Sequence, residues 1–281
     1  MISKAREIEL SQEQLHKMQM IQLEILIEFD KICKNNKINY SLDGGTLLGA
    51  VRHEGFIPWD DDIDVIMLRD EYEKFFKLCD GENKIDNNRF FLQDYRTDKH
   101  YNVGYARIRR KGTVYERVGH EHMKYQKGVF IDIFILDSVP DSIILRYPYT
   151  FICFCLRKIL WSKSAKVIHE NRLMRIWYNF ISLIPNNIAF RIIRLIADIC
   201  NKNSKTELVR HMTHPYPSKH MIGMPRKFLF ELVDLRFEGY LFSAIKNYDE
   251  YLTMLYGDYM TLPPEDKRKP HIHLSAFKSY D

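Results

Sequence analysis

Residues 38–68 limit the possible folds more tightly than any other part of the chain. A short apolar run, Ile38 to Leu42, leads into Gly44-Gly45, and Leu47, Leu48 and Val51 then mark one side of a short helix. Pro58 signals a loop, and Ile63 to Leu68 follows with Asp alternating with β-branched residues. The expected order is strand, glycine turn, helix, loop, strand. Side chains alternate along a strand, so Asp62 and Asp64 share one face while Ile63 and Val65 share the other.

Two carboxylates at i and i+2 on a strand bring their oxygens close enough to share one or two hard divalent cations. Magnesium takes a few carboxylates together with phosphate oxygens, which suits the pair to a metal–nucleotide complex. A third carboxylate on a neighbouring strand would complete a two-metal clamp on a transferring phosphate. Asp132 is the candidate, because an acid inside Val129–Leu136 must find a cation or hydrogen bonds. An arginine such as Arg107 could also satisfy it, as a buried structural ion pair. On the opposite side Gly44 and Gly45 permit close backbone approach, the first helical amides point at an anion, and Thr46 adds a hydroxyl. Asp60 and Asp61 read as supporting loop acids. A lone Asp-x-Asp is a weak signal; the ordered combination is more specific.

The stretch Gly44-Gly45-Thr46-Leu47-Leu48-Gly49-Ala50-Val51-Arg52, followed by Gly55-Phe56-Ile57-Pro58-Trp59-Asp60-Asp61-Asp62-Ile63-Asp64-Val65, closely resembles the signature of the LicD family of phosphotransferases, which includes fukutin-related proteins. Tyr105-Ala106-Arg107-Ile108, Gly128 to Phe134, Phe237-Glu238-Gly239-Tyr240 and Tyr256 to Met260 resemble further family landmarks, whereas 141–215 matches only in general character. The resemblance implies an α/β (α+β) fold with a nucleotidyltransferase-type mixed sheet of the polymerase-beta kind. It implies Asp62, Asp64 and Asp132 as catalytic metal ligands for magnesium, with manganese as its substitute, and Gly44, Gly45 and Thr46 as the phosphate cradle. Arg52, Arg107 and Arg109 become candidate partners for diphosphate charge. The implied reaction moves phosphocholine, or glycerol or ribitol phosphate, from a CDP-linked alcohol donor to a glycan or a lipid-linked oligosaccharide. The acceptor hydroxyl attacks phosphorus in line with departure of CMP, and Asp132 or a metal-bound hydroxide takes its proton. A transferred choline needs aromatic faces, for which Trp59, Tyr95, Tyr101, Tyr105 and Tyr115 are available.

Around this centre, Ser11 and Gln14 form a capping-box pattern ahead of Leu15, Met18, Ile21, Ile25, Phe29 and Ile32, predicting a helix over 12–35. Residues 72–79 read as helix, 90–95, 103–109 and 129–136 as strands, 228–243 as strand again, and 248–256 as a helix ended by Gly257. Residues 141–215 change character to helical, aromatic and basic, so the expected organisation is a core over 1–140, a helical insertion over 141–215 and a return to the core over 216–281.

Charge sharpens that division. The formal net charge is +5, yet residues 143–205 alone carry +9, leaving −4 for the remainder. Lys and Arg interleaved with Trp161, Trp177 and several Phe and Tyr suit a peripheral membrane surface, whereas no nucleic-acid module accompanies the charge. Five cysteines without a Cys-x-x-Cys pair, and no apolar leader, fit a cytoplasmic protein at the inner face of the membrane. His120-Glu121-His122 and His271-Ile272-His273 lack cysteines at finger spacing and are weak zinc candidates. Two other functions stay open on the residues alone: an Asp-x-Asp glycosyltransferase using a sugar nucleotide, and a non-catalytic membrane-surface binding protein.

Overall fold

A computed structural model describes residues 7–79, 85–202, 206–215, 222–270 and 273–280. The opening helix α1 spans Gln12–Asn35, and Ser11 and Gln14 close its N-terminus as a reciprocal capping box. Its apolar face, including Met18, Ile25, Leu26 and Phe29, lies in the main core. After it come β1 (Ser41–Leu42), α2 (Gly44–His53), β2 (Asp64–Leu68), α3 (Arg69–Cys79), β3 (Phe90–Gln93), β4 (Ala106–Arg110), β5 (Val114–Arg117) and β6 (Phe130–Ser138). The helical unit contains α4 (Ile143–Ile168), α5 (Arg172–Ile181) and α6 (Asn186–Asn201). The chain then forms β7 (Leu208–Arg210), β8 (Met224–Pro225), β9 (Leu232–Phe237), β10 (Tyr240–Ile245), α7 (Tyr248–Tyr256) and β11 (Leu274–Lys278).

The main sheet runs β1-β2-β6-β4-β3, with β7 also paired to β6 and β8 to β7. It is mixed, since β2 and β6 are parallel whereas β4 is antiparallel to β6. All nine residues of β6 are buried, as a near-continuous apolar run in a central strand should be. The parallel register sets Asp64 directly beside Asp132, and the antiparallel one sets Arg107 on the other side of Asp132.

Several boundaries move. The second strand begins at Asp64 rather than at Ile63, so Asp62 belongs to the extended segment before it. The stretch expected as one strand over 228–243 is a short 3-10 turn followed by a β9–β10 hairpin. Its corner puts Glu238 (φ 49°) and Gly239 (φ 82°) in left-handed backbone, the geometry a two-residue hairpin turn requires. The Glu238 carboxylate accepts the Phe56 N–H at 3.0 Å, tying that corner to the loop after α2. Four strands escaped the sequence reading, β5, β7, β8 and β11, and β5 and β11 pair with each other across more than 150 residues. Each is short, and nothing local announces a partner so distant.

A second apolar cluster, including Tyr149, Leu156, Leu160, Phe190 and Ile193, joins α4 to α6. Much of the helical unit's apolar surface nevertheless faces outward: Leu173, Ile176, Trp177 and Phe180 stand in line along α5, Leu173 being 75% exposed. Among the described residues no single helix is long and apolar enough to cross a membrane; only α5 and α6 together reach that length, bent by 73°. The return to the sheet comes at Leu208, earlier than expected.

Candidate functional site

The glycine turn and the acidic strand are tied together by backbone chemistry. Asp43 N–H donates to the Asp64 carbonyl at 3.0 Å, and Asp64 N–H donates to the Thr46 hydroxyl oxygen at 2.9 Å. Thr46 therefore holds Asp64, a role the sequence assigned instead to phosphate. Gly44 opens α2 at φ +52°, a conformation costly for residues with a Cβ. A Cβ on Gly45 would lie 2.6 Å from Asp60 Oδ2, so the acidic loop passes directly over the first helical turn. Gly44 and Gly45 thus sit where expected, with the first α2 amides beside the acids.

The loop is pinned from its other side by α1. Gln19 and Gln22, buried polar residues on that helix's apolar face, donate to the carbonyls of Asp60 and Asp61 at 2.9 and 2.8 Å. Carboxylate oxygens of Asp60, Asp61 and Asp62 lie within 4.8 Å of one another. Asp60 and Asp61 are accordingly closer to the centre than loop acids in outer support would be. Asp64 Oδ1 is buried and has no hydrogen-bond partner among the described residues. Burial raises the proton affinity of Asp62 well above the ordinary carboxylate range, and Asp60, Asp61 and Asp132 add to it. Burial does the same to Asp64, reinforced by Asp62, Asp132, Asp43 and Asp60. Like charges this close want a cation, and an all-carboxylate donor set is suited to a hard one such as magnesium or manganese.

Asp132 is held by Arg107, whose Nε and Nη2 donate to its two oxygens at 2.6 and 3.4 Å. Both side chains are buried, so removing either one would strand the other's charge. Arg109, two residues along the same strand, donates to Gln93 Oε1 and the Gly128 carbonyl and braces β4 against its neighbours. Arg52 stands two turns along α2 from the glycines and donates to the Tyr259 carbonyl at 2.7 Å, joining the helix to the landmark after α7. It does not line the cleft containing Gly44 and Asp64.

Residues the sequence reading passed over complete the surroundings. Arg117, on β5, has a buried Nε with no hydrogen-bond partner among the described residues, and its charge opposes the rise at Asp62. It lines a cavity of about 220 Å³ with Arg107, Tyr105, Tyr125, Arg157 and Trp161. Of the five aromatics considered for a choline, Tyr105 alone lines this cavity; Tyr115 packs on Phe130 and Tyr95 stacks on Phe190. Across the glycine cleft stand His211, His214 and Tyr256, while Tyr251 donates to Asp43 Oδ1 at 2.5 Å. The last two lie on α7, and no local spacing could have tied them to a turn some two hundred residues earlier. His120 meets the Tyr125 hydroxyl at 2.7 Å and His122 the Lys163 carbonyl, while His271 lies outside the described residues.

A family model described as LicD/FKTN/FKRP, nucleotidyltransferase domain, matches residues 37–144, the span from β1 through β6 that contains all of the acids above. The chain is 32% identical over 272 residues to the lipopolysaccharide cholinephosphotransferase LicD of Haemophilus influenzae, covering 92% of this chain and 95% of that one. It is also 47% identical over 49 residues to an uncharacterized protein of Rickettsia prowazekii, and to the same extent to one of Rickettsia typhi.

Proposed function

This chain belongs to the LicD family of phosphotransferases, and on that premise we propose that it moves phosphocholine, or a glycerol or ribitol phosphate, from a CDP-linked donor to a hydroxyl of a cell-surface glycan or its lipid-linked precursor. The observation that carries the reading is a single cleft lined both by Gly44 and Gly45, where α2 opens, and by half-buried Asp64, whose Oδ2 would lie 3.7 Å from a Cβ on Gly44. A diphosphate needs both, a cation among the acids and N–H donors close to it.

In this reading Asp62 and Asp64 hold magnesium, with Asp60 and Asp61 beside them. When bound, the cation neutralises charge on the transferring phosphate. Gly44 and Gly45 let the donor phosphates approach the helix backbone, and Thr46 keeps Asp64 in place through its N–H. Arg107 fixes the orientation of Asp132, which takes the proton of the attacking hydroxyl. Arg117 supplies a guanidinium to the diphosphate charge, the part the resemblance gave to Arg52, Arg107 and Arg109.

Membrane association belongs to the same reading. On α5, Leu173, Ile176, Trp177 and Phe180 recur at helical spacing and are exposed, while Arg172 and Arg175 flank them. That pattern suits a helix lying in the headgroup region of an anionic, inner-face surface, where a lipid-linked acceptor would be found.

The test is incubation with CDP-choline, CDP-glycerol or CDP-ribitol, native glycan and magnesium, read as mass added to the acceptor. Addition of one phospho-alcohol, lost in Asp64→Asn, is expected. Turnover of UDP-sugars instead, with no CDP-alcohol consumed, would sink the assignment in favour of a glycosyltransferase.

A further inference from the structure

A second concavity, which the reaction described above does not use, lies between the helical unit and residues 95–124. Its volume is about 590 Å³, room for more than one sugar unit, and its walls include Lys99, His100, His122, Lys124, Lys163 and Lys166. Among the described residues, no Asp or Glu lines it. The neighbouring acids are engaged elsewhere: Asp98 accepts from Gln93, Gln126 and the His100 backbone, and Glu121 from Gly119 N–H.

Two of the lysines are half-buried and converge on one residue. Lys163 Nζ donates to the Ser182 carbonyl and Lys166 Nζ to the Ser182 hydroxyl at 3.3 Å. Like charges brought together against partial burial, without an acid to offset them, are expensive in isolation and favourable once an anion arrives. Burial, and then Lys166, pull the Lys163 ammonium below its ordinary value, as such crowding should. Asn102 lines both this cavity and the adjoining one that holds Arg107 and Arg117. Its Nδ2 donates to the Leu160 carbonyl at 3.0 Å, while its Oδ1 is buried with no partner among the described residues, an acceptor whose hydrogen bond is unmet between the two cavities.

We propose that this lysine-lined cavity binds phosphate-bearing sugars of the acceptor glycan, placing the next sugar of the chain at Asn102 and its hydroxyl toward Asp132. The inference rests on the phosphotransferase reading for the identity of the acceptor, whereas the anion preference rests on the cavity alone. A concave site of this size fits saccharide units, and the exposed apolar side chains of α4 to α6 are left to lipid.

The experiment titrates glucose 6-phosphate and glucose into the full chain and into the double variant Lys99→Glu, Lys124→Glu, whose lysines stand at the rim. CDP-choline with magnesium is titrated in parallel. Glucose 6-phosphate should bind at least tenfold more tightly than glucose, and at least tenfold more weakly in the variant, while CDP-choline affinity stays within twofold. The variant's KM for native acceptor should rise at least tenfold. Equal binding of the two sugars, or equal binding of the phosphosugar by both proteins, would overturn the proposal. So would a variant that loses only phosphatidylglycerol vesicles, which would make the lysines a lipid contact. If CDP-choline fails to bind while the phosphosugar pattern holds, the donor reading falls and the cavity assignment stands.

Discussion

The Thr46 hydroxyl accepts the backbone N–H of Asp64 at 2.9 Å, which fuses the glycine turn and the acidic strand into one rigid unit. Replacing Thr46 by Val keeps the shape and removes the acceptor. A buried N–H left unsatisfied costs about 1–3 kcal/mol, and the Asp64 carboxylate is freed to drift. Thr46→Val should lower the unfolding midpoint and reduce kcat/KM at least tenfold. Thr46→Ser, which retains the oxygen, should restore most of both; equal loss in the two variants would argue against the hydrogen bond.

Gln22 of α1 reaches the Asp61 carbonyl, and Gln19 the Asp60 carbonyl, so a helix remote in sequence sets the shape of the acidic loop. Gln22→Leu fits the apolar surroundings and leaves that carbonyl unpaired. The expected result is a loss of about 1–3 kcal/mol in stability, together with a several-fold higher magnesium midpoint for activity. An unchanged magnesium midpoint would mean that the loop holds its shape without α1.

The acids carry a sign that urea unfolding can read. A carboxyl whose folded value lies above its ordinary 3.8, as burial and like charges make that of Asp64, binds its proton more tightly in the folded state. Its contribution to stability is therefore complete below pH 3.8 and is lost as pH rises through the raised value. At neutral pH, without metal, the cluster opposes folding. Asp64→Asn should raise the metal-free midpoint at pH 7.5 while abolishing transfer. Magnesium at about 100 times its Kd should add about 2.7 kcal/mol to the wild-type chain and much less to the variant.

His120 behaves in the opposite sense. Burial, then the charges of Arg117 and Arg107, push its imidazole down from 6.5 to about 4. A depressed base contributes stability above pH 6.5 that is lost as pH falls toward about 4. At about 1.4 kcal/mol per unit, the contribution is on the order of 3 kcal/mol. His120→Gln can still meet the Tyr125 hydroxyl, and its stability should fall less steeply between pH 6.5 and 4 than that of the wild type. The Asp64 effect is common to both proteins, so the difference isolates the imidazole. Parallel curves would exclude the assignment.

By itself the sequence determined the local events. Ser11 and Gln14 start α1, Gly44-Gly45 opens α2, the alternating run after Asp62 forms a strand, and the ordered motif identifies the family and the position of the acids. These were legible because caps, turns and strand faces are written within a few residues of one another. Only the tertiary structure decided which charges answer which. Arg107, Arg109 and Arg52 looked equivalent as diphosphate partners, yet β4–β6 register pairs the first with Asp132, Gln93 holds the second, and the Tyr259 carbonyl takes the third. Arg117 acts on Asp62 from β5, a strand paired with β11 near the chain's other end, and Gln19 and Gln22 became loop anchors because α1 packs under it. Such assignments depend on register and on contacts dozens to hundreds of residues apart, where a shift of one position turns a side chain to the opposite face. No local spacing records them.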